Sequence, residues 1–200
     1  MPSDVRAQKA TLTDRDAVSQ MFAEAFQNNP AMCFIFPDPA VRAARLPSLF
    51  KILFDEDCAK GCCYITSGGE AATLWRAPKN ARLSFLEKVI FAFPWLNATR
   101  SALGRALTYS NFSDANHPTI PHWYLHIAGC APNAQGLGLG SAVIKAGLTH
   151  ADARGVHVYL ETGKQANVGF YQKFGFAVTH EWKIPNGPKN WSMLRAPLKL

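Results

Sequence analysis

Apolar positions in this chain follow two spacings. Val18, Met21, Phe22, Ala25 and Phe26 fall three and four residues apart, the stripe of an amphipathic helix. Thr13 is its expected N-cap, with Asp16 at the third position, and Val5 to Ala10 before it reads as a short strand. Asn28-Asn29-Pro30 ends the helix, and Ala31 to Pro39 reads as an aromatic, proline-rich loop. Leu46, Leu49, Phe50, Leu53 and Phe54 restore helical spacing over Val41 to Asp57. Cys62 to Ser67 and Ala71 to Arg76 read as two strands joined at Gly68-Gly69. Residues 78–118 read as a helical insert broken at Pro94.

The second half is more regular. His122 to Cys130 reads as a strand, Ala131 to Gly140 as a glycine-rich turn, and Gly138 to Arg154 as a helix. Val156 to Glu161 is a strand, and Asn167 to Phe174 a short helix closed by Gly175. Phe176 to Trp182 and a segment around Trp191 to Arg195 complete the pattern as strands. Strand–helix–strand–helix–strand is the signature of an α/β chain. No internal repeat or long linker divides the 200 residues, so the expectation is one domain.

Composition narrows the function classes. Charged residues are 18% and hydrophobic ones 48% of the chain, a balance that supports a buried core. The net charge of +7 points to a polyanionic partner without choosing one. No apolar run reaches the roughly 20 residues of a membrane span. The first ten residues carry Asp4, Arg6 and Lys9 and no apolar core, unlike a secretory signal. Five cysteines at irregular spacing are not a disulfide framework and suit a reducing compartment, so a cytoplasmic protein is expected. The basic residues of the insert (Lys79, Arg82, Lys88, Arg100, Arg105) are dispersed and match no nucleic-acid motif. No nucleic-acid or membrane partner is expected. His122, His126 and Cys130 have zinc-like spacing only on a helix. On a strand four residues span roughly 13 Å, too far for ligands about 2 Å from one metal. No metal is expected.

The segment Gln135-Gly-Leu-Gly-Leu-Gly140 follows a strand and opens a helix. Glycines there let the backbone approach a ligand, and the helix N-terminus favours an anion. A P-loop would need Gly-Lys-Ser/Thr, and Gly140 is followed by Ser141-Ala142. A dinucleotide fingerprint would need a third glycine where Ser141 or Val143 stands.

Gln135-x-x-Gly138-x-Gly140 resembles instead the pyrophosphate loop of the GNAT N-acetyltransferases. The later blocks Leu160-Glu161-Thr162 and Asn167-x-x-Phe170-Tyr171-x-x-x-Gly175-Phe176 are similar to that family's second signature. With Trp123-x-Leu125 and the tail Pro185-Asn-Gly-Pro188-x-Asn-Trp191-x-Met193, they look like the puromycin N-acetyltransferase type. Residues 120–195 carry the likeness closely. In the first half, Phe36-Pro37-Asp38 and Ala72-x-Leu74-Trp75 carry it loosely.

The resemblance implies a mixed, twisted sheet of about six to seven strands flanked by helices. Residues 1–118 would form an acceptor-side half with the insert 78–118, and residues 119–200 an acetyl-CoA-binding half. Ala128, Gly129 and Cys130 would pair with the pantetheine arm as a strand, their amides holding the oxyanion. Gln135, Gly136, Leu137, Gly138, Leu139, Gly140 and Ser141 would hold the pyrophosphate, with Lys145, Lys164 and Lys173 assisting. Asn167 would bond the pantetheine arm, cap its own helix, or both. Tyr171 would protonate the leaving thiolate; packing alone is the other reading. For the general base two candidates stand. His126 is expected on one strand face with Tyr124, Ala128 and Cys130, and Glu161 ends the next strand. His122 reads as structural. Phe26, Phe34, Phe36, Trp75, Phe93, Trp95 and Tyr109 are candidates for an aromatic acceptor wall. The expected reaction is direct acetyl transfer to the amine of a small molecule, such as an antibiotic or another toxic amine, by a monomer or homodimer. A non-catalytic acyl-CoA-binding module is the alternative.

Overall fold

The computed structural model describes residues 6–80 and 92–198. Residues 81–91 of the expected insert, with Arg82 and Lys88, and Val5 of the first strand lie outside them. The elements are β1 (Ala7–Lys9), α1 (Arg15–Ala25), α2 (Pro30–Ile35), α3 (Pro39–Lys60), β2 (Gly61–Thr66) and β3 (Ala71–Arg76). They continue with α4 (Ala92–Thr99), α5 (Leu103–Asn116), β4 (His122–Cys130), α6 (Leu139–Asp152) and β5 (His157–Thr162). The chain ends in α7 (Gln165–Gln172), β6 (Ala177–Lys183) and β7 (Lys189–Arg195).

The seven strands form one mixed sheet in the order β1-β2-β3-β4-β5-β7-β6. Every neighbouring pair is antiparallel except β4 and β5. This is the helix-flanked mixed sheet that the family resemblance implies.

Two local readings are corrected. The first helical segment is capped at Thr11, whose N–H donates to Asp14 Oδ2 at 2.7 Å, not at Thr13. The expected loop 31–39 contains a helix, because Asn29 Oδ1 accepts the Ala31 and Met32 N–H groups ahead of Pro30 at the first helical position. Asp38 starts α3 the same way before Pro39.

Two apolar layers cover the sheet. On one face α1 and α3 bury Val18, Phe22, Leu46, Phe50 and Phe54 with Leu74 and Ile127. On the other α6 buries Val143, Ile144 and Leu148 with Trp75, Trp123 and Leu125. Trp75 is fully buried there, and a Cβ on Gly147 would stand 2.2 Å from its ring. Trp75 and Phe36 are therefore core residues rather than acceptor wall. Phe34 packs against the α1–α3 layer, and Phe93 is 79% exposed. The Cys58 thiol lies against Cys63 Sγ.

A β-bulge shapes the centre of the sheet. Register passes from Leu74↔Ile127 to Trp75↔Leu125, leaving His126 without a partner on β3. One extra residue reverses the alternation. Trp123 and Leu125, before it, and Ala128 and Cys130, beyond it, pack with the α6 layer, while Ile127 packs with α1 and α3. Tyr124, His126, Ala128 and Cys130 therefore do not share one face. His126 reaches Asp57 on α3 instead.

From Leu125 onward β4 leaves β5. The two pair only at His122↔His157, Trp123↔Val158 and Tyr124↔Tyr159, yet run on to Cys130 and Thr162. A wedge opens between them in mid-sheet.

Candidate active site

Two cavities meet at this wedge, and Phe26, Asn29, Ala128, Asn167 and Tyr171 border both. The larger has a volume of about 600 Å3. Ala128, Gly129 and Cys130 of β4 form one wall, and the loop from Gln135 to Ser141, without Leu137, forms its end. Leu137 is 60% exposed and turns outward. Gly136 and Gly138 have φ of +81° and +82°, a left-handed conformation that side chains disfavour. At Gly136, Gly138 and Gly140 a Cβ would meet no atom within 4 Å, so the missing side chains leave an open cradle. Gly138 caps α6, whose first N–H groups lack helical partners. Gln135 Nε2 donates to the Cys130 carbonyl at 3.4 Å and braces the loop against β4. Lys164 and Lys173 line this cavity; Lys145 does not. Free amides, a helix N-terminus and two lysines fit a diphosphate, and the unpaired stretch of β4 fits an extended polar chain.

Asn167 does not cap its helix. Lys164 holds the cap position, and Asn167 donates from Nδ2 to Thr162 Oγ1 at 3.3 Å. Tyr171 is buried on α7 beside Phe170 and Phe176. Burial raises its hydroxyl to about 12, which keeps it protonated at neutral pH.

The smaller cavity, about 200 Å3, is walled by Phe26, Trp95, Tyr109 and Tyr124, with polar groups on two sides. On one side stands Glu161. Ser113 Oγ donates to its Oε2 at 2.6 Å and the Tyr159 hydroxyl to its Oε1 at 2.8 Å. Burial pushes this carboxyl up to about 7; the two donors pull it down and Asp114 pushes it up.

On the other side is a buried charge cluster. Asp57 accepts from Arg76 Nε and, at 2.6 Å, from His126 Nδ1. Glu56 accepts from Arg76 Nη2 at 3.3 Å and from Trp95 Nε1 at 2.8 Å. Burial raises Glu56. Burial also opposes ionisation of Asp57, but Arg76 and His126 outweigh it and hold that carboxyl below its ordinary value. The Asp57 carboxylate is an acceptor, so His126 Nδ1 carries the hydrogen between them and Nε2 is the ring nitrogen left for another partner. His122 lies apart, in a buried cluster of tilted and edge-on rings with His117 and Tyr159.

The structure thus brings Glu161, His126, Tyr171 and Asn167 to one junction. Sequence reading misses Asp57, Glu56, Arg76, Ser113 and Tyr159. The available signal is Glu56-Asp57 following Leu53-Phe54 on the apolar stripe of α3, an acidic pair placed where burial is expected.

The model of the Acetyltransferase (GNAT) family matches residues 88–176, a span containing the glycine loop, Glu161 and Tyr171. The matched stretch of the chain is similar to this family. Among solved structures, the chain is similar to the histone acetyltransferase HPA2 and related acetyltransferase from Corynebacterium glutamicum, at a TM-score of 0.70 and 22% identity, covering 98% of both chains. It is similar to arylalkylamine N-acetyltransferase 2 from Aedes aegypti at a TM-score of 0.63 and 13% identity, covering 98% of this chain and 100% of that one. A mycothiol acetyltransferase from Paenarthrobacter aurescens is 38% identical over 96 residues, 46% of this chain and 29% of that protein. The chain thus matches less than a third of the length of that relative.

Proposed function

We propose that this protein transfers an acetyl group from acetyl-CoA to an amine of a small molecule, both substrates being bound together. The carrying observation is the junction itself. A cradle for a diphosphate and extended arm opens at Tyr171 onto a second pocket holding a carboxyl with a pKa near 7. Acetyl-CoA bound in the larger cavity supplies the thioester. Gly136, Gly138, Gly140 and Ser141 hold its phosphates, and Asn167 and the free edge of Ala128 to Cys130 align its arm.

Glu161 takes a proton from the amine, directly or through water, which its pKa near neutrality favours. The strand amides of Ala128 to Cys130 stabilise the oxyanion. Tyr171, protonated at neutral pH, gives its proton to the departing thiolate. His126, oriented by Asp57, presents Nε2 to the acceptor as a second polar contact.

The acceptor is an amine on an apolar or aromatic body, because Phe26, Trp95, Tyr109 and Tyr124 wall its pocket. The puromycin-type motifs favour an antibiotic or another toxic amine. The matching relative named mycothiol acetyltransferase favours a small-molecule acceptor as well. A thiol-release assay with acetyl-CoA and a panel of puromycin, arylalkylamines, amino sugars and amino acids tests this. Turnover with an apolar or aromatic amine is expected. CoA binding without thiol release from any amine would establish the binding-module alternative instead.

A further inference from the structure

Tyr159 is nearly fully buried, and its hydroxyl stands among three oxygens. Glu161 Oε1 and Ser192 Oγ lie 2.8 Å away, and the Asn116 carbonyl 3.1 Å. A phenol has one hydrogen to give and two lone pairs to receive. Glu161 as a carboxylate and the Asn116 carbonyl are both acceptors, so that hydrogen serves one of them at a time. Ser192 Oγ accepts from Trp182 Nε1 at 3.1 Å, which leaves its own hydrogen for Tyr159.

We propose that Tyr159 is a positioning residue for Glu161, its hydroxyl hydrogen turning between the Glu161 carboxylate and the Asn116 carbonyl as Glu161 loses and gains a proton. With Glu161 ionised, Tyr159 donates to Oε1 and accepts from Ser192. With Glu161 protonated, the carboxylic O–H donates to the Tyr159 oxygen, Ser192 donates to the same oxygen, and Tyr159 donates to Asn116. Every donor is used in both states, and Ser113 holds Oε2 throughout. The carbonyl released in the ionised state belongs to Asn116, which borders a separate cavity of about 290 Å3 on the far side of Tyr159. Water there replaces the lost donor. Without this second arrangement, a proton taken up at Oε1 would face the Tyr159 hydrogen, donor to donor. Among the described residues, the other titratable groups around the pair include Asp114 and Tyr109 on α5, Tyr124 on β4, the rings of His117 and His122, and His180 on β6, whose Nε2 lies 2.7 Å from Asn116 Oδ1.

This inference rests on Glu161 being the base, and two measurements separate the failures. The first is the pH profile of kcat/KM with the best amine found. Tyr159→Phe removes a donor from the ionised carboxylate, so its acid limb moves up by about one pH unit. In the Glu161→Gln background the same substitution moves nothing. An acid limb that survives Glu161→Gln sinks the base reading. A limb that depends on Glu161 and ignores Tyr159→Phe sinks this inference alone. The second measurement uses the unaltered protein and so does not depend on the variant folding. With 13C at Cζ of tyrosine and Cδ of glutamate, the Tyr159 resonance is expected to shift at the pH where Glu161 titrates. A Tyr159 resonance that stays fixed through that titration overturns the proposal.

Discussion

Burial raises both Glu161 and Tyr171, and the two shifts serve opposite roles. Glu161 sits at about 7, where loss of its proton is easy; Tyr171 sits at about 12, where its proton is kept until a strong base appears. Replacing Glu161 with Gln is expected to lower kcat by about 100-fold or more and to remove the rise in rate through pH 7. Rapid thiol-release kinetics between pH 5.5 and 9 read both. Tyr171→Phe keeps the ring packing and removes only the hydroxyl, so kcat is expected to fall by about 100-fold with KM for acetyl-CoA nearly unchanged. An unchanged kcat would remove the acid role.

At the scale of elements, the glycine loop and the Trp75–Gly147 contact carry the sharpest expectations. Gly138→Ala puts a side chain on a left-handed residue at the mouth of the cradle. A cost of about 1–2 kcal/mol is expected to appear as a roughly tenfold higher KM for acetyl-CoA. Gly147→Ala overfills the layer under α6 and is expected to cost about 1–3 kcal/mol, seen as a lower thermal midpoint, because the added Cβ would stand 2.2 Å from the ring of fully buried Trp75. The loop is legible in the sequence because its requirements are local: strand, positive φ, helix N-terminus. The same holds for β2, β3, β5 and the two late strands. The bulge at His126 is not legible, since one inserted residue leaves no mark on alternation until the partner strand is known. The short helix after Asn29 is legible in principle, through a cap residue followed by proline. The Glu56–Asp57–Arg76 cluster is legible only as an acidic pair on an apolar stripe, because its partner lies on β3.

For the whole molecule, two buried carboxyls make stability depend on pH in opposite directions. Glu161 in the folded chain stands at about 7, above its ordinary 4.5, so folding holds that proton more tightly than the unfolded chain does. Its favourable contribution is full below about pH 4.5 and is lost as pH rises through about 7. Urea unfolding at pH 5.5 and 8 is expected to show this loss in the wild type and not in Glu161→Gln. Asp57 is held below its ordinary value, so its contribution is present at neutral pH and is lost in acid as the carboxyl protonates. Asp57→Asn leaves Arg76 buried beside one carboxylate instead of two and is expected to cost about 3–5 kcal/mol at neutral pH. Chemical denaturation of this variant checks that value.

The wedge between β4 and β5 leaves the sheet with two internal edges. Backbone groups of residues 125–130 that point away from β3 have no neighbouring strand, so solvent must serve them until something is bound there. In deuterated buffer those amides are therefore expected to exchange quickly in the unbound chain, while amides of β2 and β3 deep in the sheet exchange slowly. An arm lying along β4 would turn that fast set slow residue by residue, tracing its path without a crystal of the complex.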